Sequence, residues 1–363
     1  MSQSKAETLI SAVFRQEILG LSAYHVADAT GFIKLDAMEN PYQWPDDIKQ
    51  SWLQMLKSCE LNRYPDPEAK HVTRLIKEQD KIGSGFEIIL GNGSDEIIQM
   101  LLMALPPEAC VLSPHPSFVM YQQVSKSLGL DFINAPLLPD SFDLDLPAML
   151  AAIAQHKPSI IFLAYPNNPT GNLFDAQAIK TIINAAPGLV VVDEAYAPFA
   201  NASFMNELGN YANLLVMRTF SKLGLAGLRL GYLVGATAII NELNKIRLPY
   251  NINCLTQATV EFALQHSDIF VEQTQRICVE RGLMYDQLVQ IAGIRPFPSH
   301  ANFILFKTPD HKAVDIFNAI KEQGVLIKNL SSQGGMLADC LRVTIGKPEE
   351  NRAFLDALKK ACC

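Results

Sequence analysis

Three short stretches hold residue types that chemistry needs. The first, Val190-Val191-Val192-Asp193-Glu194-Ala195-Tyr196, is an apolar run that ends in two acids and a phenol. An aspartate at the mouth of a strand buried on both faces can hold a cation or a protonated ring nitrogen, and that partner sustains its charge. The same letters suit a nucleotide hydrolase whose aspartate serves Mg²⁺, but that reading requires G-x-x-x-x-G-K-[ST], which does not occur in the chain. An aspartate that merely caps the following helix is the plain structural alternative. The second stretch runs from Thr219 through Ser221, Lys222 and Gly224 to Arg229 and follows the apolar run 214–217. Most lysines are simply solvated. At a strand end, among hydroxyls and glycines, an amine with a lowered pKa can form a Schiff base, and Thr219, Ser221 and Arg229 are donors that could grip a phosphate.

The third stretch, Gly91-Asn92-Gly93-Ser94-Asp95-Glu96, lies between a predicted strand and a predicted helix. Glycines let the backbone approach an anion, and the N–H groups of a helix start can bind phosphate. Glu96 occupies the place of the third glycine in G-x-G-x-x-G, which disfavours a nicotinamide cofactor; a turn with a Ser/Asp cap explains the stretch almost as well. A strand-end lysine, a strand-end aspartate, a nearby tyrosine and a glycine turn facing phosphate together meet the needs of pyridoxal 5′-phosphate: an amine for its aldehyde, an acid for its pyridine nitrogen, a helix start for its phosphate.

The elements that must position these residues are legible as a rhythm. Short apolar runs at 87–90, 111–112, 159–164, 189–193 and 214–217 alternate with amphipathic stretches at 94–105, 117–128 and 176–184. That alternation predicts an α/β fold with a mostly parallel sheet, in which ligands collect beyond the carboxyl ends of the strands. After residue 248 the pattern turns to long helices at 257–265 and 269–291, short strands at 301–306, 325–327 and 341–345, and a closing helix at 349–360. The expected division is an N-terminal segment, 1–45, packing on the small domain, a large domain over 46–250, and a smaller α+β domain over 251–363.

Composition excludes other classes. Of 363 residues, 49% are hydrophobic and 18% charged, the profile of a folded globular chain. The net charge of -7 disfavours nucleic acid as a partner. No run approaches the length of a membrane span, and the first dozen residues are mixed and polar, so a cytoplasmic, membrane-free protein is expected. Seven scattered cysteines without a C-x-x-C pair read as reduced thiols, and the seven histidines show no metal-ligand spacing, so no metal is assigned.

An ordered series of landmarks resembles the fold-type I pyridoxal-phosphate aminotransferases, and within them the histidinol-phosphate aminotransferase branch. It runs Leu35-Asp36-Ala37-Met38-Glu39-Asn40-Pro41, Asn62-Arg63-Tyr64-Pro65, the turn 91–96, Pro116-Ser117-Phe118, Pro166-Asn167-Asn168-Pro169-Thr170-Gly171, Asp193-Glu194-Ala195-Tyr196, Ser221-Lys222, Arg229 and Leu341-Arg342-Val343-Thr344. The resemblance implies pyridoxal phosphate as cofactor, with Lys222 as Schiff-base lysine and proton carrier, Asp193 on the pyridine nitrogen, and Tyr196 with Asn168 on the ring oxygen. Gly93, Ser94, Asp95, Thr219, Ser221 and Arg229 would surround the phosphate, and Phe118 would stack on the ring where relatives usually place Tyr. Tyr64 would reach the phosphate of the neighbouring subunit, which implies a homodimer. Arg342 would receive the substrate's anionic group, Tyr24 and Tyr250 would line the substrate end, and Asn302 lies in a family-like segment.

Two departures are visible. Only six residues separate Lys222 from Arg229 where the commonest version has seven, and Lys328 stands near the place of a second substrate-facing Arg, offering charge without the planar fork. The implied activity is transamination of an amino donor, L-histidinol phosphate, with 2-oxoglutarate. The alternatives are an aromatic or broad-specificity aminotransferase and a phosphothreonine-type decarboxylase on the same scaffold, because specificity rests on a few pocket side chains.

Overall fold

A computed structural model describes residues 2–23 and 27–362, with side chains described from residue 5. The apolar runs form a seven-stranded sheet in the order Phe86–Asn92, Leu230–Ala236, Leu214–Thr219, Leu189–Asp193, Ile160–Ala164, Cys110–His115, Asp131–Pro136. Only Leu230–Ala236 runs against its neighbours; it pairs antiparallel with Phe86–Asn92 on one side and Leu214–Thr219 on the other, and the remaining pairings are parallel. The central strands are buried on both faces, which is why they read as continuous β-branched and leucine runs instead of alternating.

Helices cover both faces and leave two apolar layers. One packs Ile97, Ile98, Leu101 and Tyr121 against Val111, Phe162, Val191 and Met217. The other packs Ile179, Ile182, Phe142 and Val260 against Leu163, Val192 and Val216. Two helices on the second face start at aspartate caps: Asp145 accepts the N–H of Ala148 at 3.0 Å, and Asp175 accepts those of Gln177 and Ala178 at 3.2 Å each.

The C-terminal body is built on an antiparallel sheet ordered Lys328–Asn329, Cys340–Thr344, Phe303–Lys307, Arg295–Pro296. Its core joins Phe303, Phe306 and Val343 to Ile316 and Ile320 of one helix and Phe354 and Leu358 of the last. The 23-residue helix Ser267–Val289 ties the bodies together: Phe270 sits in the core of the large sheet, whereas Ile277, Met284 and Leu288 sit in the other. The opening segment touches both. Ile33–Lys34 pairs in parallel with Val325–Leu326, while Arg15 donates to the carbonyls of Ser127 and Leu128 on the large body.

Sequence patterning missed the strands Asp131–Pro136 and Leu230–Ala236. The first is an edge strand with polar and half-buried positions, and the second contains two glycines. One of these, Gly231, lies where a Cβ would meet Ser94 N at 2.7 Å, so a side chain there would push the glycine turn off the sheet. Among the described residues no helix is long and apolar enough to cross a membrane, and no cluster of three His, Cys, Asp or Glu could hold a metal ion.

Candidate active site

Six strands of the large sheet end at one edge, and the chain leaves five of them carrying polar groups to the site: Gly93-Ser94-Asp95 after the first, Ser117-Phe118, Pro166 to Asn168, Asp193 to Tyr196, and Thr219 to Lys222. The antiparallel strand begins at that same edge, so Arg229, the residue before it, joins them. Together they enclose a cavity of roughly 240 Å³ lined by Ser94, Asp95, Phe118, Asn168, Asp193, Tyr196, Thr219, Ser221, Lys222 and Arg229, with Ala37, Met38 and Glu39 closing it from the opening segment. Ten side chains singled out by sequence thus converge on one space.

At the cavity floor, Asp193 is buried. Its Oδ1 accepts the N–H of Ala195 at 3.0 Å and its Oδ2 accepts the hydroxyl of Tyr121 at 2.5 Å. Burial raises the carboxyl to about 6, and the hydrogen bonds from Tyr121 and Ala195 resist that rise. Lys222 follows the strand Leu214–Thr219 on a short turn; its Nζ donates to the Ala37 carbonyl at 3.4 Å and lies 5.6 Å from the Tyr196 ring centre. Burial, and then the guanidinium of Arg342, lower its amine to about 8, so a substantial fraction is a neutral nucleophile near physiological pH. Asn168 bridges two groups: its Nδ2 donates to Tyr196 Oη at 3.1 Å and its Oδ1 accepts from Arg342 Nη1 at 2.6 Å.

The opposite end is cationic and rich in hydroxyls. Thr219 Oγ1 donates to Ser221 Oγ at 3.0 Å, and Arg229 Nη2 reaches Asp95 Oδ2 at 3.4 Å. Arg229 has φ +50°, a left-handed conformation that turns its guanidinium onto Gly93. Gly93 itself has φ +78°, and a Cβ there would lie 2.7 Å from Arg229 Nη2. Only glycine fits both the backbone angle and the space. The ten-residue helix that follows starts at Ser94, and its first-turn N–H groups have no partner within the helix.

Three expected residues stand outside the lining of this cavity. Tyr64 and Tyr250 stack on each other with ring centres 4.4 Å apart, both exposed and neither lining the cavity. Lys328 lies opposite Arg342 in the antiparallel register and also outside the cavity lining. Tyr24 falls outside the described residues. Arg342 is buried behind Asn168, with its Nη2 on the Asp36 carbonyl at 3.1 Å and its guanidinium 5.2 Å from the Phe303 ring. Asn302, fully buried, donates to the Met38 carbonyl at 2.9 Å and so fixes the segment that closes the cavity.

Sequence reasoning overlooked Tyr121. It sits one helical turn beyond Phe118, the spacing that puts two residues on one helix face, and that spacing was the available signal. Also overlooked was a partly buried ion-pair chain beside the floor. Arg218 donates to Glu194 Oε2 at 2.8 Å and to Asp80 Oδ1 at 2.9 Å, while Tyr232 donates to Asp80 Oδ2 at 2.6 Å. It locks the strand of Asp193 to the strand leading to Lys222, and in sequence its members are too far apart to suggest contact.

Residues 30–358 match the family described as aminotransferase class I and II. The chain belongs to the class I and II aminotransferases. Over 346 residues it is 56% identical to a protein named histidinol-phosphate aminotransferase 2 from Nitrosococcus oceani, covering 95% of this chain and 96% of that one. A second relative of the same name, from Cupriavidus pinatubonensis, is 48% identical over 96% of each chain. Among solved structures, the histidinol-phosphate aminotransferase of Sinorhizobium meliloti in complex with pyridoxal-5′-phosphate superposes with a TM-score of 0.85 over 97% of this chain and 98% of that one, at 22% identity, and shares the fold. This aminotransferase therefore has the α/β architecture its strand rhythm predicts.

Its cavity also fits the family's cofactor. A buried acid lies at one end, glycine, hydroxyl and arginine donors at the other, and between them an amine, a phenol and the Phe118 ring line the wall. The cradle a Cβ at Gly93 would fill is what a phosphate at a helix start requires.

Proposed function

We propose that this aminotransferase uses pyridoxal phosphate to transaminate L-histidinol phosphate with 2-oxoglutarate, giving imidazole-acetol phosphate and glutamate in histidine biosynthesis. The observation that carries the chemistry is the meeting of the Lys222 amine and the buried Asp193 carboxylate in one cavity with a cationic far end. The choice of substrate rests on the names and high identity of the relatives.

When bound, pyridoxal phosphate supplies an aldehyde for amino groups and a ring that accepts an electron pair. The protein does the rest. Asp193, ionised, holds the ring nitrogen in its protonated form; Tyr196, with Asn168 behind it, donates to the ring oxygen. Phe118 offers a face for stacking. Gly93, Ser94, Asp95, Thr219, Ser221 and Arg229 hold the phosphate through backbone N–H groups, hydroxyls and the guanidinium. Lys222 as a free amine would carry a proton between the substrate Cα and the C4′ carbon of the cofactor, from Cα to C4′ in the first half-reaction and from C4′ to the Cα of the oxo acid partner in the second. Arg342 serves the substrate phosphate in one half-reaction and the carboxylate of 2-oxoglutarate in the other; Lys328 and Tyr250 add charge and surface at the substrate end, as does Tyr24.

The enzyme works as a cytoplasmic homodimer in which Tyr64 completes the partner's phosphate site. Its 81% exposure, beside exposed Leu61 and Leu248, is what a residue awaiting a second subunit would show. Two domains meet along the helix Ser267–Val289, with Arg15 of the opening segment on one and Ile33–Lys34 on the other. Absorption titration of the yellow, cofactor-loaded protein tests the assignment. The band should be lost at lower concentration with histidinol phosphate than with phenylalanine. A stronger response to phenylalanine would move the activity to aromatic amino acids, and the absence of any band would remove pyridoxal phosphate chemistry altogether.

A further inference from the structure

We infer that Tyr121 is a positioning residue for the cofactor: its hydroxyl holds Asp193 as a carboxylate aimed at the ring nitrogen, and so sets the protonation of the bound ring. The inference rests on the pyridoxal phosphate reading above and extends it to a residue outside the cavity lining. Asp193 has two oxygens, and Ala195 N–H occupies one. The other accepts the Tyr121 hydroxyl at 2.5 Å, a length expected of an O–H donor on a charged acceptor. Tyr121 is fully buried, its ring stacked on Phe162 at 4.6 Å and met edge-on by Phe118 at 5.4 Å, so packing fixes where the hydroxyl points. The phenol itself stays protonated, because burial and the neighbouring carboxylate push its pKa well above the ordinary value. Toward the Asp193 carboxylate it is therefore the donor.

One helix turn thus supplies two functions. Phe118, at the helix start, presents a ring to the cavity, and Tyr121, three residues on, presents a hydroxyl beneath it. The charged groups around Asp193 would otherwise favour its neutral form. Asp95 and Glu194 both raise its pKa, with Glu194 itself tied to Arg218, while Tyr196 faces Tyr121 from the same strand end. Against these like charges and the burial, Tyr121 is the side-chain donor that keeps the negative charge on Asp193. Remove the hydroxyl and the carboxylate becomes more basic, so the proton shared with the ring nitrogen moves toward the acid and the ring loses its positive charge.

Tyr121→Phe keeps the ring and its packing and deletes only the donor. With cofactor labelled with ¹⁵N in the ring, the nitrogen resonance of loaded Tyr121→Phe should move toward the neutral-pyridine position relative to wild type. The pH at which its visible band changes should rise by about one unit, the size expected for losing one hydrogen bond to a charged group. Steady-state kcat should fall with KM for the amino donor nearly unchanged. Ser125→Ala is the packing control: its hydroxyl bonds the Tyr121 carbonyl at 2.7 Å on the same buried helix and does not touch Asp193, so its resonance and its band should match wild type. An unmoved resonance in folded Tyr121→Phe overturns the inference and leaves the cofactor assignment standing. An equal movement in Ser125→Ala overturns it too, by making the effect one of packing. A wild-type protein that binds no labelled cofactor removes both.

Discussion

Replacing Asp193 by Asn should make the cofactor-free protein more stable at alkaline pH while impairing the enzyme. Burial holds this carboxyl at about 6, against 3.8 for an ordinary aspartate. A raised folded-state value means the folded chain binds the proton more tightly than the unfolded one. The stability linked to that proton is present in full below about 4, and it is lost as pH rises through about 6. At roughly 1.36 kcal/mol per pH unit, the ionised group costs the cofactor-free fold about 3 kcal/mol above pH 7. Asn keeps the size and carries no charge; its amide oxygen can accept the Ala195 N–H and its amide N–H can donate to the Tyr121 hydroxyl oxygen, so both contacts of Asp193 keep a partner. Urea unfolding of both apoproteins between pH 4.5 and 8 should show the variant ahead by up to about 3 kcal/mol at pH 8, with the gap closing as the pH falls through 6. Pyridoxal phosphate should then stabilise wild type more than the variant, because only the carboxylate pairs with a protonated ring nitrogen. A gap that does not change with pH, or a wild-type apoprotein that is the more stable at pH 8, would refute the reasoning that Tyr121 and Ala195 compensate the burial of this charge only in part when its partner is missing.

The other groups make separable demands. With Lys222 lowered to about 8, the rate of cofactor capture by apoprotein should rise with pH up to about 8 and then level off, followed by stopped-flow absorbance; a rise continuing toward pH 10 would mean an ordinary lysine. Lys222→Ala should abolish turnover and leave no borohydride-labelled peptide at position 222. Arg342→Lys removes the planar fork that meets Asn168 and the Asp36 carbonyl, and should lower kcat/KM for the phosphorylated donor by about 10- to 100-fold in steady-state assays, the worth of one charge-assisted hydrogen bond. Protomers carrying Lys222→Ala, inactive alone, and protomers carrying Tyr64→Ala, weak alone, should regain activity when mixed and allowed to exchange subunits, since each hybrid dimer holds one complete site. No gain in hybrids isolated by differential tags would mean that Tyr64 serves its own chain or none.

Much of the fold was legible because parallel strands buried on both faces leave an unmistakable mark. Leu189–Asp193 and Ile160–Ala164 are apolar throughout, and helices between them alternate with the 3.6-residue period. Chain chemistry at strand ends marked Lys222, Asp193 and the glycine turn for the same reason: polar residues that interrupt such runs have few structural excuses. Leu230–Ala236 escaped notice because its two glycines weaken a strand's signature, yet its reversed direction is what brings Arg229 to the site edge. Tyr64 and Tyr250 stack on each other at the surface of the chain, a contact across 186 positions that neither residue's local sequence announces.

By itself, then, the order of residues determined which groups would stand at the mouths of the strands, because hydrophobic periodicity and chain direction place strand ends without knowledge of neighbours. Only the tertiary structure decided what those groups feel. Tyr121 meets Asp193 across 72 positions of sequence, Asn168 meets Arg342 across 174, and the Ala37 carbonyl receives Lys222 across 185. Such contacts set burial, hydrogen bonding and pKa, and they depend on packing among segments that no local pattern encodes.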